Sequence, residues 1–141
     1  RRALSASMLR ETVENIGARR VLLLIDACKS GTAVEGFQDQ IDRRAIRRLG
    51  TAVGLHIVSA TAKSQFAVEH ETLGHGIFTY TMLAALGGAA DRAPQDGNLT
   101  VSEVVSYSEE QVPQLSQKYA EYAHWPLIYS RGLDFSLSRK Q

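Results

Sequence analysis

Cys28 is the only cysteine in the chain, and it lies two residues after Asp26 in Asp26-Ala27-Cys28-Lys29-Ser30-Gly31. A lone cysteine is as a rule a small buried hydrophobe. Here it follows five apolar residues, Val21 to Ile25, and precedes a flexible Ser-Gly pair, which presents the thiol at an edge. The neighbouring Lys29 ammonium favours the thiolate, the reactive form. A nucleophilic cysteine also needs a base, normally a histidine within hydrogen-bond reach. His56 sits inside an apolar strand and reads as a structural side chain, while His70 and His124 stand in polar surroundings without a motif. His75 lies between Gly74 and Gly76, which leaves its ring free, and spacing alone does not decide its role. Asp26 reads either as a charged group at a site or as a strand-ending residue that caps the next turn.

These groups need elements to hold them. Leu4, Met8, Leu9, Val13 and Ile16 recur at helical spacing and Gly17 follows, which predicts an amphipathic helix over 4–16. The unbroken run at 21–25 predicts a parallel strand covered on both faces, and 55–60 (Leu-His-Ile-Val-Ser-Ala) predicts a second strand. Residues 77–86 predict a helix with Phe78, Met82 and Leu86 on one stripe, ended by Gly87-Gly88. Thr100-Val101-Ser102-Glu103 is a capping box that starts a further helix, with Pro113 kinking or ending it. Leu133, Phe135 and Leu137 alternate with polar residues and predict a closing strand with one buried face. Helices alternating with short strands make an α/β layered sheet, and functional groups in such sheets gather beyond the carboxyl ends of the strands, where Asp26 and Cys28 fall.

The chain has 141 residues, 16 Lys+Arg against 15 Asp+Glu, and 44% hydrophobic residues, as one ordinary domain has. Residues 1–50 hold ten Lys/Arg and six Asp/Glu, residues 51–141 six and nine, so neither half is a polybasic surface and no nucleic-acid site is evident. No apolar run approaches the roughly 18 residues that cross a bilayer. One cysteine closes no internal disulfide, and no secretion signal is visible, which together predict a reducing, cytoplasmic setting. A calcium loop around Asp96 fails, because Arg92 and Pro94 fall at the first and third ligand positions. No phosphate-binding Gly-rich loop is present.

Val21 to Gly31 resembles the nucleophile strand of caspase-like cysteine peptidases, especially the bacterial metacaspase and orthocaspase branch with its Asp-x-Cys-His-Ser-Gly pattern. Ser59-Ala60-Thr61 with Gln65 and Glu69 is similar to that family's next strand and substrate-pocket loop. Gly74-His75-Gly76-Ile77-Phe78-Thr79 resembles the entry to its following helix, and Asp96 to Thr100 with Glu103, Trp125-Pro126 and Asp134-Phe135 resemble later landmarks. These pieces follow one another in the family's order from Val21 to Leu137. Lys29 departs from the branch's His, at a place where caspases carry Arg.

The resemblance implies a caspase-haemoglobinase-like α/β/α sandwich with a mostly parallel central sheet, of which residues 1–141 form one partial domain. It implies a cysteine endopeptidase with Cys28 as nucleophile and, with Asp26, Ser59 and Glu69 toward the substrate, cleavage after Arg or Lys. A carboxylate at Asp26 selects a cation, whereas caspases that cut after Asp carry Gln there, and Lys63 falls where some relatives have another acid. The family's catalytic His lies roughly 50 residues before the Cys, yet only 27 residues precede Cys28 and none is His. The chain is therefore expected to lack the strands that pair beside residues 21–25 and to take its histidine from an upstream segment or a second chain. His75, downstream of the nucleophile, is not that base. The partner is a protein or peptide substrate, no cofactor or metal site is expected, and calcium activation is known in some of the family without a site being evident. Arg43, Arg44, Arg47 and Arg48 are candidate autocleavage points, or else a solvated helix face. The other functional class compatible with the pattern is a catalytically inactive caspase-like regulatory or interaction module.

Overall fold

A computed structural model of the chain describes residue 8 and residues 11–12, 15–26, 54–60, 69–70, 73–92, 94–120 and 122–139. Residues 8, 11, 12, 15 and 16 are helical, and the Thr12 hydroxyl donates to the Met8 carbonyl one turn back at 2.8 Å. Gly17 ends this segment at φ +63°, a left-handed conformation that glycine takes without a Cβ penalty. Of the helix expected over 4–16 only these residues are described, and of its apolar stripe Met8 is 43% and Ile16 49% exposed, Leu4, Leu9 and Val13 lying outside the described residues.

The elements then run in order: strands β1 (Arg20–Ile25), β2 (Gly54–Ser59), β3 (Glu69–His70) and β4 (His75–Gly76); helix α1 (Ile77–Ala84); strand β5 (Asn98–Thr100); helix α2 (Val101–Ala120); strands β6 (Leu127–Gly132) and β7 (Ser136–Arg139). The class is α/β with a mixed sheet. Among the described residues, β2 is central, with β1 parallel on one side and β6 antiparallel on the other. All six β2 residues are buried, as a strand covered on both faces requires. β1 is equally apolar but only Val21 is buried, and Leu24 is 37% exposed.

Helices α1 and α2 close one face. Phe78, Met82 and Ala85 meet Val58 and Ala60 from β2 and Val104 and Val112 from α2, with Leu22 and Ile128 packed against the cluster. Leu86 does not join Phe78 and Met82 in this stripe: it is 44% exposed. Seven residues make nearly two full turns of a 3.6-residue helix, so Ala85 takes the inward place and Leu86 rotates outward, where α1 passes into a π-helical turn at Ala85–Ala89. Tyr80 and Leu83 are exposed as well, which makes α1 apolar on both faces.

The capping box forms as expected. Glu103 Oε2 accepts from the Thr100 N–H at 2.8 Å and the Glu103 N–H donates back to Thr100 Oγ1 at 3.3 Å. α2 then runs through Pro113 to Ala120 instead of ending there. Its buried stripe, Val101, Val104, Ser108, Val112 and Ser116, continues past the proline, so packing carries the helix across the missing N–H. The closing alternation holds only in part. Phe135 is buried and Leu137 half-buried, but Leu133 is 69% exposed, because β6 extends to Gly132 and the chain turns before β7 pairs with β5.

Candidate functional site

Strand register defines one rim of the sheet. Ile25 lies opposite Ser59, and Ser59 opposite Leu127. The Ala60 N–H donates to the Ile25 carbonyl at 2.9 Å, which carries the parallel pairing one residue past both strands. Asp26 is therefore the first residue released beyond the carboxyl end of β1. This is where an open α/β sheet puts its functional groups.

Asp26 is exposed, and its Oδ2 accepts a hydrogen bond from Thr79 Oγ1. Thr79 lies in the first turn of α1, between Phe78, which is buried in the core, and Met82 one turn on. That packing fixes the helix, and of the two χ1 rotamers a helical threonine can take, the one seen here turns Oγ1 to Asp26. The helix start is flanked by Gly76, which supplies no side-chain cap. Its first backbone N–H groups and the helix dipole favour an anion nearby. Glu69 is brought to the same place: in the β3–β4 pair it lies opposite Gly76, the residue immediately before α1. The two acidic positions expected to face substrate, 43 positions apart in sequence, thus both converge on the start of one helix.

Ser59 occupies the last position of β2 as expected, and its side chain is wholly buried. Ser59 is thus closed off from solvent, whereas Asp26 is exposed. Trp125, seen in the sequence only as a landmark, is 56% exposed two residues before Leu127, which pairs with Ser59 at this same rim. Cys28, Lys29, Lys63, Gln65 and the four arginines Arg43, Arg44, Arg47 and Arg48 lie outside the described residues.

The histidines sort as their surroundings suggest. His56 is buried, with Nε2 3.3 Å from the Leu133 carbonyl oxygen and its ring edge-on to Phe135 at 5.6 Å between centroids. These contacts engage it structurally. His75 is exposed at the start of β4 opposite His70, and the His124 backbone N–H donates to Ser116 Oγ at 2.7 Å. Around Asp96, the turn is organised by the buried Asp91, whose two carboxylate oxygens accept from the backbone N–H groups of Asp96 (3.1 Å) and Gly97 (2.9 Å). Among the described residues no group of three or more His, Cys, Asp and Glu is placed to hold a metal ion, and no helix is long and apolar enough to cross a membrane.

Thr79 is the residue whose role the sequence does not disclose. It lies 53 positions from Asp26, and no local pattern joins the two. No family model, curated protein or solved structure matches the chain.

Proposed function

We propose that the chain is the nucleophile-bearing part of a caspase-like cysteine endopeptidase, with a caspase-haemoglobinase-like fold, that cleaves after Arg or Lys. The observation that carries this reading is the placement of Asp26: an exposed carboxylate beyond the carboxyl end of β1, two residues before Cys28, anchored by a hydrogen bond from α1. The ordered sequence landmarks supply the rest. Asp26 receives the substrate's cationic side chain, and Glu69, paired in register with Gly76, is the second acidic position toward it.

In this reaction the histidine from a segment outside the chain takes the Cys28 thiol proton, and the thiolate attacks the carbonyl carbon after the basic residue. The Cys28 backbone N–H and an N–H beside the histidine hold the oxyanion. Collapse expels the amine, which takes the proton from the imidazolium and leaves a thioester on Cys28. The neutral histidine then deprotonates water, whose attack on the thioester releases the acid and returns the thiol. Among the described residues β1 has no strand on its outer edge, and Leu24 is part-exposed, which suits the docking of the strand that would bring the histidine.

The test is hydrolysis of arginyl, lysyl and aspartyl fluorogenic peptides by the complete enzyme. Cleavage after Arg and Lys is expected, with Cys28→Ala abolishing it and Asp26→Asn lowering kcat/KM for the arginyl peptide by about 10- to 100-fold, the loss of one charge-assisted contact. Cleavage only after Asp, or activity that survives Cys28→Ala, overturns the reading. No cleavage of any peptide by a properly folded complete protein would instead favour the regulatory module.

A further inference from the structure

Among the described residues the Asp26 carboxylate is held from one side only. Oδ2 accepts from the Thr79 hydroxyl, and among the described residues Oδ1 accepts no hydrogen bond. Each carboxylate oxygen accepts two bonds, so the threonine restrains the rotation of the carboxylate while leaving acceptor capacity on both oxygens. Thr79 is half-buried on a helix whose neighbouring Phe78 and Met82 are fixed in the core. The helix that carries the donor is therefore fixed.

From this geometry we infer that Thr79 is a positioning residue for substrate specificity: it orients the Asp26 carboxylate for two-point contact with an arginine guanidinium and so favours Arg over Lys. This rests on the peptidase reading above. The chemistry distinguishes the two cations. A guanidinium is a planar fork that bonds a carboxylate through two parallel N–H···O contacts, and it gains only when the carboxylate plane is fixed. An ammonium is a compact point charge that bonds a rotating carboxylate nearly as well. Removing the threonine hydroxyl frees the Asp26 side chain to rotate, which penalises the fork more than the point charge.

Thr79→Val keeps the shape and β-branching and removes the donor. In the complete enzyme, assayed with matched arginyl and lysyl peptides, it is expected to raise KM for the arginyl peptide about three- to tenfold, with kcat and the lysyl KM within about twofold, as loss of one hydrogen bond to a partly exposed charged group predicts. Thr79→Ser restores the donor and is expected to recover the wild-type Arg/Lys preference, and Thr79→Ala should repeat the effect of valine. The rate at which iodoacetamide alkylates Cys28 should be the same in all four proteins, since the hydroxyl acts on Asp26 and not on the thiol. Arginyl hydrolysis with an unchanged Arg/Lys ratio in both Thr79→Val and Thr79→Ala, or a serine variant that behaves like valine, overturns this assignment and leaves the peptidase reading standing. Absence of hydrolysis after basic residues in the wild-type enzyme overturns both.

Discussion

The two flanks of β2 are built from similarly apolar sequence and finished very differently. On the flank toward α1, α2 and the β5–β7 pair, Val58, Met82, Val104 and Val112 are shut from water, and the start of α2 is capped by Thr100 and Glu103. At β1, Leu24 stays part-exposed and the strand pairs along one edge only among the described residues, and in the N-terminal helical segment Met8 and Ile16 are exposed. A strand reading Val-Leu-Leu-Leu-Ile is suited to cover on both faces and a neighbour on each edge. The difference separates a region closed by its own residues from one whose apolar residues stay part-open, and Asp26, at the end of β1, joins the two through its hydrogen bond from Thr79 on α1.

The sharpest way to test this contrast is to truncate one side chain on each flank. Phe78→Ala removes a fully packed ring and should cost about 3–5 kcal/mol in urea unfolding of the chain. Leu24→Ala should cost less, about 1–2 kcal/mol in the chain alone, since that residue is 37% exposed and leaves no closed cavity. Should the proposed upstream strand seat on β1, the Leu24 penalty would grow in a protein that contains it. Equal penalties for Leu24→Ala with and without that segment would break the comparison.

A second, smaller effect is expected where β2 meets the chain returning from β6. A Cβ built on Gly54 would lie 2.4 Å from the Leu133 carbonyl oxygen and 3.2 Å from both His56 Nε2 and Phe135 Cδ1. The first of these is backbone and gives way poorly. Gly54→Ala should therefore cost about 1–3 kcal/mol through overpacking and disturb the His56–Leu133 contact, which the imidazole NMR signals would report. A neutral Gly54→Ala would show that the turn after β6 is looser than its packing suggests.

Much of this was readable before any coordinates. The continuous apolar runs located β1 and β2 to within a residue, and Thr100 with Glu103 announced α2, because both signals are local. His56 was legible as structural for the same reason: it sits in an apolar run. What local pattern could not convey was pairing at a distance. The antiparallel β6 beside β2, the outward turn of Leu133 and the approach of Thr79 to Asp26 each depend on residues more than 50 positions apart. Leu86 failed for a subtler reason: the stripe was extended by four-residue steps, whereas the helix period brings Ala85 inward. Asp26 itself was found from its position at the end of a strand, and its support was not.

The smallest expected effect lies on the finished flank and probes whether its stability is local. Asp134 Oδ1 accepts from the backbone N–H groups of Ser102 at 3.0 Å and Phe135 at 2.8 Å, tying the turn before β7 to the first turn of α2. Burial alone would raise its carboxyl pKa, but hydrogen bonds from Ser102, Phe135 and Thr100 outweigh that and hold it below the usual carboxylate value. Because the folded pKa is the lower one, the charge contributes stability above the unfolded value of about 3.9 and loses it as pH falls through the folded value. Asp134→Asn should cost about 1 kcal/mol or less at pH 7, the scale of one helix cap. The gap to wild type should narrow below about pH 4, as the wild-type carboxylate is itself protonated. Urea unfolding at neutral and acid pH measures both. A penalty of the same size at the two pH values would assign the role of Asp134 to shape and not charge, and dependence on the histidine-bearing segment would show that this flank is not self-sufficient.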